Sequence, residues 1–194
     1  VRYFFDGRSS VSHSADPGIW IGRAVPAIGR DQGDLVAKNE FADLLDGFAP
    51  GGHPLFRRAA PNRAMGGDLV VAAPKSVSIG ANCLHPEWSE PIQRSFADAS
   101  DQAFRFLETF ASGRSAENTA NLLASRFIHH NSRDQSPHSH AHFIIFNCTY
   151  SRRDGLFGAL RERPSLFGTY TAADSVFKSA LSENLRSFGI PVRM

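Results

Sequence analysis

The chain has 194 residues, of which 42% are hydrophobic, and its formal net charge is only +2. These values predict one domain with a sizeable core, and the charge alone gives no reason to expect nucleic-acid binding. The two cysteines exclude a disulfide framework and a thiolate metal site, and they favour a reducing, cytoplasmic location. No signal peptide and no apolar run of about eighteen residues is found, so no membrane segment is expected.

The N-terminal part of the chain contains loop, strand and helix signals. Residues 8–18 are rich in Ser, Gly, Asp and Pro and predict a loop, after which residues 19–22 begin an ordered segment. Asn39 is a residue type that caps helix N-termini, so it predicts a short helix over 40–46 that ends at Gly47.

Four segments have the pattern of β-strands. Residues 69–73 form a continuous apolar run that predicts a buried strand, and the alternation over 76–79 predicts a second strand or a continuation of the first. Residues 119–129 and 141–150 are two further apolar segments. The polar stretch 131–139 between them predicts a loop that joins an antiparallel pair.

Two segments have helical spacing. The first is an amphipathic helix over 90–111. The second is a shorter amphipathic helix over about 170–188, which ends before Gly189. Helices and strands do not alternate regularly, so the sequence predicts an α+β fold with an antiparallel sheet of about five strands flanked by helices. The 90–111 helix is expected to pack on this sheet through one apolar stripe, made of Ile92, Phe96, Ala99, Ala103, Phe106, Leu107 and Phe110.

Five of the eight histidines cluster beside an apolar segment. Alternate side chains of a strand point to one face, so His138, His140 and His142 are expected on the face opposite the long helix. Either His129 or His130 could complete a metal site from a neighbouring strand. Imidazole suits zinc, copper, iron and nickel, whereas magnesium and calcium prefer oxygen ligands, so the histidines alone do not identify the metal.

Several segments match, in order and in spacing, the sequence blocks of one known family. They resemble the MobF-type (TrwC/TraI) conjugative relaxases, which are HUH endonucleases. The matching segments are residues 2–7 (S-Y-Y-x-D-G in the family), 20–29 (W-x-G-x-G-A-x-x-L-G-L), 41–52, 68–78 preceded by Arg63 (R-x-G-x-D-L-T-F-S-A-P-K-S-V-S) and 129–147 (H-x-x-S-R-x-x-x-P-x-L-H-T-H-x-x-x-x-N).

This resemblance implies an HUH relaxase-like palm and one relaxase-like domain over 1–194, without the family's first strand and its C-terminal DNA-clamping segment. Tyrosine is a weak nucleophile near its ordinary pKa of about 10, so it needs an activating neighbour. The family pattern also implies roles for individual residues: Tyr3 as nucleophile, Asp68 to activate or orient it or to hold a ligand histidine, Arg133 on a phosphate oxygen, His129, His140 and His142 as metal ligands, and Lys75 and Arg63 as DNA contacts.

The function that the resemblance implies is metal-dependent nicking of one DNA strand at a plasmid origin of transfer, through a tyrosine–5′-phosphate intermediate. The expected cofactor is one divalent cation (Mg, Mn or Zn), and the expected partners are single-stranded DNA, a relaxosome and a fused or separate helicase. Phe4 stands where the family has a second tyrosine. An alternative is therefore a catalytically impaired relaxase-like fragment that binds metal and single-stranded DNA.

A small-molecule metal enzyme of the cupin type is a different reading of the histidine cluster. Cupins pair H-x-H with a glutamate a few residues later, but the first glutamate after His142 is Glu162. The spacing therefore disfavours this class.

Overall fold

The computed structural model describes residues 17–57, 64–113, 118–161 and 168–192. Within these ranges, strands and helices are mixed along the chain as an α+β fold requires. The elements are β1 (Ile19–Ile21), a 3-10 helix (Val25–Ile28), α1 (Lys38–Asp46), β2 (Gly66–Ala72), α2 (Lys75–Cys83), α3 (Pro86–Glu108), β3 (Ala124–Asn131), β4 (Pro137–Phe146), β5 (Thr149–Ser151), β6 (Leu156–Gly158) and α4 (Tyr170–Ser187).

Four strands form one antiparallel sheet in the order β1-β3-β4-β2, and β5 and β6 form a separate two-stranded ribbon. The α+β class and the antiparallel sheet are thus confirmed. About five strands were expected in one sheet, and four lie in it within the part of the chain that the structure describes. The outermost strand of these four on one side is β2, which pairs with β4 over its whole length.

The helices α3 and α4 cover one face of the sheet. Leu69 and Val71 of β2 are buried on this face, as strand alternation requires. At its centre the ring of Phe104 from α3 stacks on that of Phe143 from β4, with centroids 5.1 Å apart and planes 10° apart. The predicted stripe is confirmed in most positions, but Phe104 is fully buried whereas Phe110 is 45% exposed.

A second core lies on the opposite face, at the end of the sheet where β3 begins. Trp20, Phe41, Phe127 and Phe146 pack there with the 3-10 helix and α1. Phe127 lies directly opposite His142 in the β3–β4 register, so the histidine cluster occupies the other end of this same face. The predicted separation of the histidines from the 90–111 helix is confirmed.

Residues 76–79 are not a strand, because the segment belongs to the helix α2. Val77 and Ala81 lie four residues apart and pack on the core that α3 and α4 form with the sheet. Four alternating residues are also compatible with one helical turn, and here the apolar contact at a spacing of four decides the structure. The prediction of a second strand was wrong.

Two smaller expectations also changed. Helix α1 begins at Lys38 with Ala37 as its N-cap, so Asn39 lies inside the helix, while Gly47 ends it in the left-handed conformation with φ of 94° as expected. The predicted loop 131–139 is shorter than expected, since β4 already begins at Pro137. The C-terminal helix is confirmed at Tyr170–Ser187.

Candidate metal centre

Three histidines from two neighbouring strands bring their rings together, and we call them the histidine triad: His129, His140 and His142. Each offers one ring nitrogen, and these three atoms lie within 4.8 Å of one another. His129 of β3 lies directly opposite His140 of β4, and His142 follows two residues later on the same face. The ring centroids of all three pairs are 5.1–5.2 Å apart.

Hydrogen bonds orient two of the three rings. His142 Nδ1 lies 2.8 Å from Asp68 Oδ2, and His140 Nδ1 lies 2.8 Å from the carbonyl oxygen of His138. A carboxylate or carbonyl oxygen only accepts, so Nδ1 of a neutral ring must carry the proton in both cases. Nε2 of His140 and of His142 then presents its lone pair, which is the form that binds a metal.

Burial lowers the pKa of two of the three triad histidines. Desolvation, reinforced by His140, His142 and His130, lowers the pKa of His129 to about 4. Desolvation also lowers the pKa of His140, whose hydrogen bond to the carbonyl of His138 acts in the opposite direction. Protons therefore compete weakly with a divalent cation for the nitrogens of these two rings near neutral pH.

The two other histidines of the cluster lie beside the triad. The ring of His138 stacks on that of His140, with centroids 4.8 Å apart and planes 29° apart. His130 is half-buried and follows His129 on the strand, where alternation directs its side chain to the other face. The sequence pattern did not decide whether His129 or His130 is the third ligand. In the structure, the cluster of three nitrogens contains His129.

Asp68 is hydrogen-bonded to a member of the triad. It belongs to β2, two residues from Val70, which is directly opposite His142. Asp68, Val70 and Ala72 are the exposed residues of β2, on the face that carries the triad. Asp68 thus contacts His142 because β2 and β4 are neighbouring strands and the two side chains lie on the same face of the sheet, at diagonally adjacent positions.

Two of the predicted phosphate-binding residues, Arg133 and Lys75, are exposed. Arg133 is exposed in the turn that joins β3 to β4. Lys75 is also exposed, at the start of α2, where its Nζ donates to Ser136 Oγ at 3.1 Å and to the carbonyl oxygen of Pro137 at 2.9 Å. The predictions for Tyr3 and Arg63 fall outside the described residues.

The sequence pattern missed one contributor to the site. Asn82 of α2 donates from Nδ2 to the carbonyl oxygen of His130 and to Ser139 Oγ, both at 3.2 Å. Ser78 lies one helical turn before it. A helical rather than extended reading of 75–83 would have grouped these two polar residues on one face.

Across the ranges that the structure describes, none of the helices combines the length and the apolar character needed to cross a membrane.

Comparison with known proteins identifies the family. The family described as TrwC relaxase matches residues 3–194, which is almost the whole chain. The chain belongs to the TrwC relaxase family. The earlier resemblance to MobF-type conjugative relaxases is confirmed.

Two curated relatives are similar to this chain, and both are called multifunctional conjugation protein TraI. The TraI of Escherichia coli strain K12 is 36% identical over 139 residues, which cover 67% of this chain and 8% of the relative. Another Escherichia coli TraI is 31% identical over 175 residues, which cover 86% of this chain and 9% of the relative. The chain thus spans less than a tenth of the length of either.

Solved structures of the conjugative relaxase TrwC share the fold. One in complex with oriT DNA, in a metal-bound form, is 27% identical and has a TM-score of 0.82, covering 99% of this chain and 66% of TrwC. A copper-bound complex with oriT DNA is 26% identical with a TM-score of 0.79, covering 92% and 62%. The α+β architecture is therefore that of the relaxases.

Proposed function

We propose that this chain is a DNA relaxase that nicks one strand at an origin of transfer and becomes joined to the 5′-phosphate through Tyr3. The observation that carries the proposal is the histidine triad with Asp68 2.8 Å from His142. Family membership supports the same conclusion, since the TrwC structures contain oriT DNA and metal. We further propose that residues 1–194 form one domain.

In this proposal the histidine triad holds one divalent cation. Three imidazoles favour zinc or another transition ion such as copper, iron or nickel over magnesium, which prefers oxygen ligands and keeps several waters. When bound, the cation would act as a Lewis acid that neutralises charge on the scissile phosphate. Asp68 fixes the proton of His142 on Nδ1, which keeps Nε2 available and the ring correctly oriented.

The chain's own residues carry out the transesterification. The Tyr3 hydroxyl oxygen attacks phosphorus, an O–P bond forms, and the bond between phosphorus and the 3′-oxygen breaks. The tyrosine proton must leave and the 3′-oxygen must gain a proton. Asp68 is 40% exposed at its side chain and is the candidate that helps activate or orient the tyrosine.

Cationic side chains are proposed to bind the phosphates around the scissile bond. Arg133 has a planar guanidinium that can hold two oxygens of one phosphate, and its exposed position in the β3–β4 turn leaves it accessible. Lys75 and Arg63 are proposed to contact neighbouring phosphates. Single-stranded DNA is the proposed partner, with a relaxosome and a helicase as further partners, in the bacterial cytoplasm.

The test is a covalent adduct assay with a single-stranded origin-of-transfer oligonucleotide. Incubation with Mn²⁺ or Zn²⁺ should give a band of protein joined to DNA on a denaturing gel. Tyr3→Phe keeps the ring but removes the attacking oxygen, so the adduct and the cleavage should disappear while DNA affinity changes little. Tyr150→Phe is the matched control, because Tyr150 packs on Phe157 in the β5–β6 ribbon.

Two outcomes would contradict the proposal in different ways. Cleavage that persists in Tyr3→Phe would move the nucleophile to another residue. A parent chain that binds metal and single-stranded DNA but forms no adduct would instead support the catalytically impaired fragment.

A further inference from the structure

The hairpin that carries the histidine triad contains a β-bulge. Pairs between β3 and β4 run regularly as far as His129 opposite His140, and beyond them the register shifts by one residue. His138 and Ser139 consequently lie opposite His130 alone. A bulge bends its strand and changes the direction of the side chains beside it, and two triad members are its immediate neighbours.

Side chains of α2 hold both strands at this bulge. Asn82 Nδ2 lies 3.2 Å from the carbonyl oxygen of His130 on β3 and 3.2 Å from Ser139 Oγ on β4. It also lies 2.7 Å from the carbonyl oxygen of Ser78. The backbone N–H of Ser139 donates to Ser78 Oγ at 3.1 Å. In a regular ladder, β3 and β4 would hydrogen-bond to each other at this point. At the bulge, side chains from one face of α2 supply hydrogen bonds in their place.

The two serines of this network are buried, which makes the network sensitive to the loss of one member. Ser78 is 0% exposed and Ser139 is 1% exposed. Buried polar groups that lose a partner bear the full cost of desolvation.

We propose that Asn82 is a positioning residue that sets the geometry of the histidine triad through this bulge. It touches neither His129 nor His140, but each is joined by one peptide bond to a residue that Asn82 holds, His130 or Ser139. The inference rests on the proposed function in treating the triad as a metal site. If Asn82 has this role, the elements that determine how the ligands converge include α2, a helix that lies on the opposite side of the sheet from the triad.

The test uses Asn82→Asp, which keeps the shape of the side chain but cannot donate to a carbonyl oxygen. Asn82→Leu removes the donor without adding charge, so the two variants together separate hydrogen bonding from electrostatics. Gln93→Glu is the matched control, because Gln93 Nε2 donates to the α2 carbonyl of Ala81 at 2.6 Å and does not contact the hairpin. Both Asn82 variants and Gln93→Glu remove a side-chain amide that donates to a backbone carbonyl oxygen of α2.

Two measurements are made on the whole chain. Co²⁺ titration followed by its visible absorption reports affinity and ligand geometry. Loss of a group hydrogen-bonded directly to a ligand typically costs about 10–100-fold in metal affinity; Asn82 acts one residue further from the ligands, so a loss of up to about 10-fold is expected. NMR of the histidine ring protons in the metal-free chain reports the positions of His129 and His140 independently of metal. Both Asn82 variants should weaken Co²⁺ binding, alter its absorption band and shift these NMR signals, while Gln93→Glu should leave all three unchanged.

The outcomes separate the inference from the proposed function. Unchanged Co²⁺ affinity and unchanged histidine signals in the Asn82 variants, with only a lower melting temperature, would overturn the positioning role. A parent chain that binds no Co²⁺ would contradict the metal centre itself, and the histidine signals of the metal-free variants would still decide whether Asn82 positions the triad.

Discussion

Replacement of Glu108 by alanine should destabilise the fold by several kcal/mol. Glu108 ends α3 and is 1% exposed. Its Oε1 accepts the backbone N–H groups of Arg23 at 2.6 Å and of Leu122 at 2.9 Å. One carboxylate therefore joins the long helix to the segment after β1 and to the segment that leads into β3.

The magnitude follows from the two N–H groups. The buried Leu122 N–H costs about 1–3 kcal/mol when it loses its partner, and the part-buried Arg23 N–H costs about 1 kcal/mol, so Glu108→Ala should lose roughly 2–4 kcal/mol. The ion pair adds little, because Arg23 Nε lies 3.5 Å from Oε2 and the Arg23 side chain is 48% exposed. Glu108→Gln retains an oxygen at the Oε1 position for both N–H groups and should lose less than about 1 kcal/mol.

The same site predicts a pH effect of defined sign. Desolvation raises the pKa of Glu108 above its ordinary value of 4.5, against the hydrogen bonds from Arg23 and Leu122, which lower it. Between the unfolded and the folded pKa the native state binds more protons, so its stability falls as pH rises through that interval. Below the unfolded pKa this loss is absent, and above the folded pKa it is complete. Glu108→Gln should therefore gain relative to the parent as pH rises above about 4.5.

Urea unfolding at a series of pH values between 4 and 8 measures both effects. With a slope of about 1–3 kcal/mol per molar urea, Glu108→Ala should lower the midpoint by roughly 1 M or more. Equal losses in the alanine and glutamine variants would refute the role assigned to the two N–H groups. A difference between Glu108→Gln and the parent that stays constant with pH would refute the burial argument.

Three further predictions concern the triad, the core and DNA binding. Alanine at all three positions of the histidine triad should abolish stoichiometric uptake of a divalent cation, measured by elemental analysis, while His138→Ala should retain it. Phe104→Ala should cost about 3–5 kcal/mol in urea unfolding, whereas Phe110→Ala, at a position 45% exposed, should cost little. Affinity for a single-stranded oligonucleotide, measured by fluorescence anisotropy, should fall steeply with added salt, and a flat response would contradict phosphate contacts.

Strand alternation alone was enough to place His140 and His142, but not to choose between His129 and His130. A period of two put His140 and His142 on one face and the long helix on the other, and the register confirms both. Alternation also distinguishes His129 from His130 once the partner strand is known, because only a residue directly opposite His140 shares its face. That pairing depends on turn length and register, so the sequence pattern left the choice open until the family resemblance supplied it.

Helix α2 was missed for a different reason. Its nine residues bury only Ser78, Gly80 and Ala81, so it lacks the long apolar stripe that identified α3. Short alternating segments are compatible with either a strand or a helical turn. What makes the segment helical is its contact with α3 and with β4, and such contacts between distant parts of the chain leave no local signal.

The bulge at His130 shows where local patterns stop being informative about the site. A regular hairpin and a bulged one have the same alternation of polar and apolar residues on either side, so periodicity cannot tell them apart. Here the irregular point is held by Asn82 and Ser78, from a segment about fifty residues earlier whose own structure was mispredicted. An error in assigning 76–79 therefore also hid a support of the triad. The ligand residues can be identified from their strand, whereas their geometry depends on the helix packed behind it.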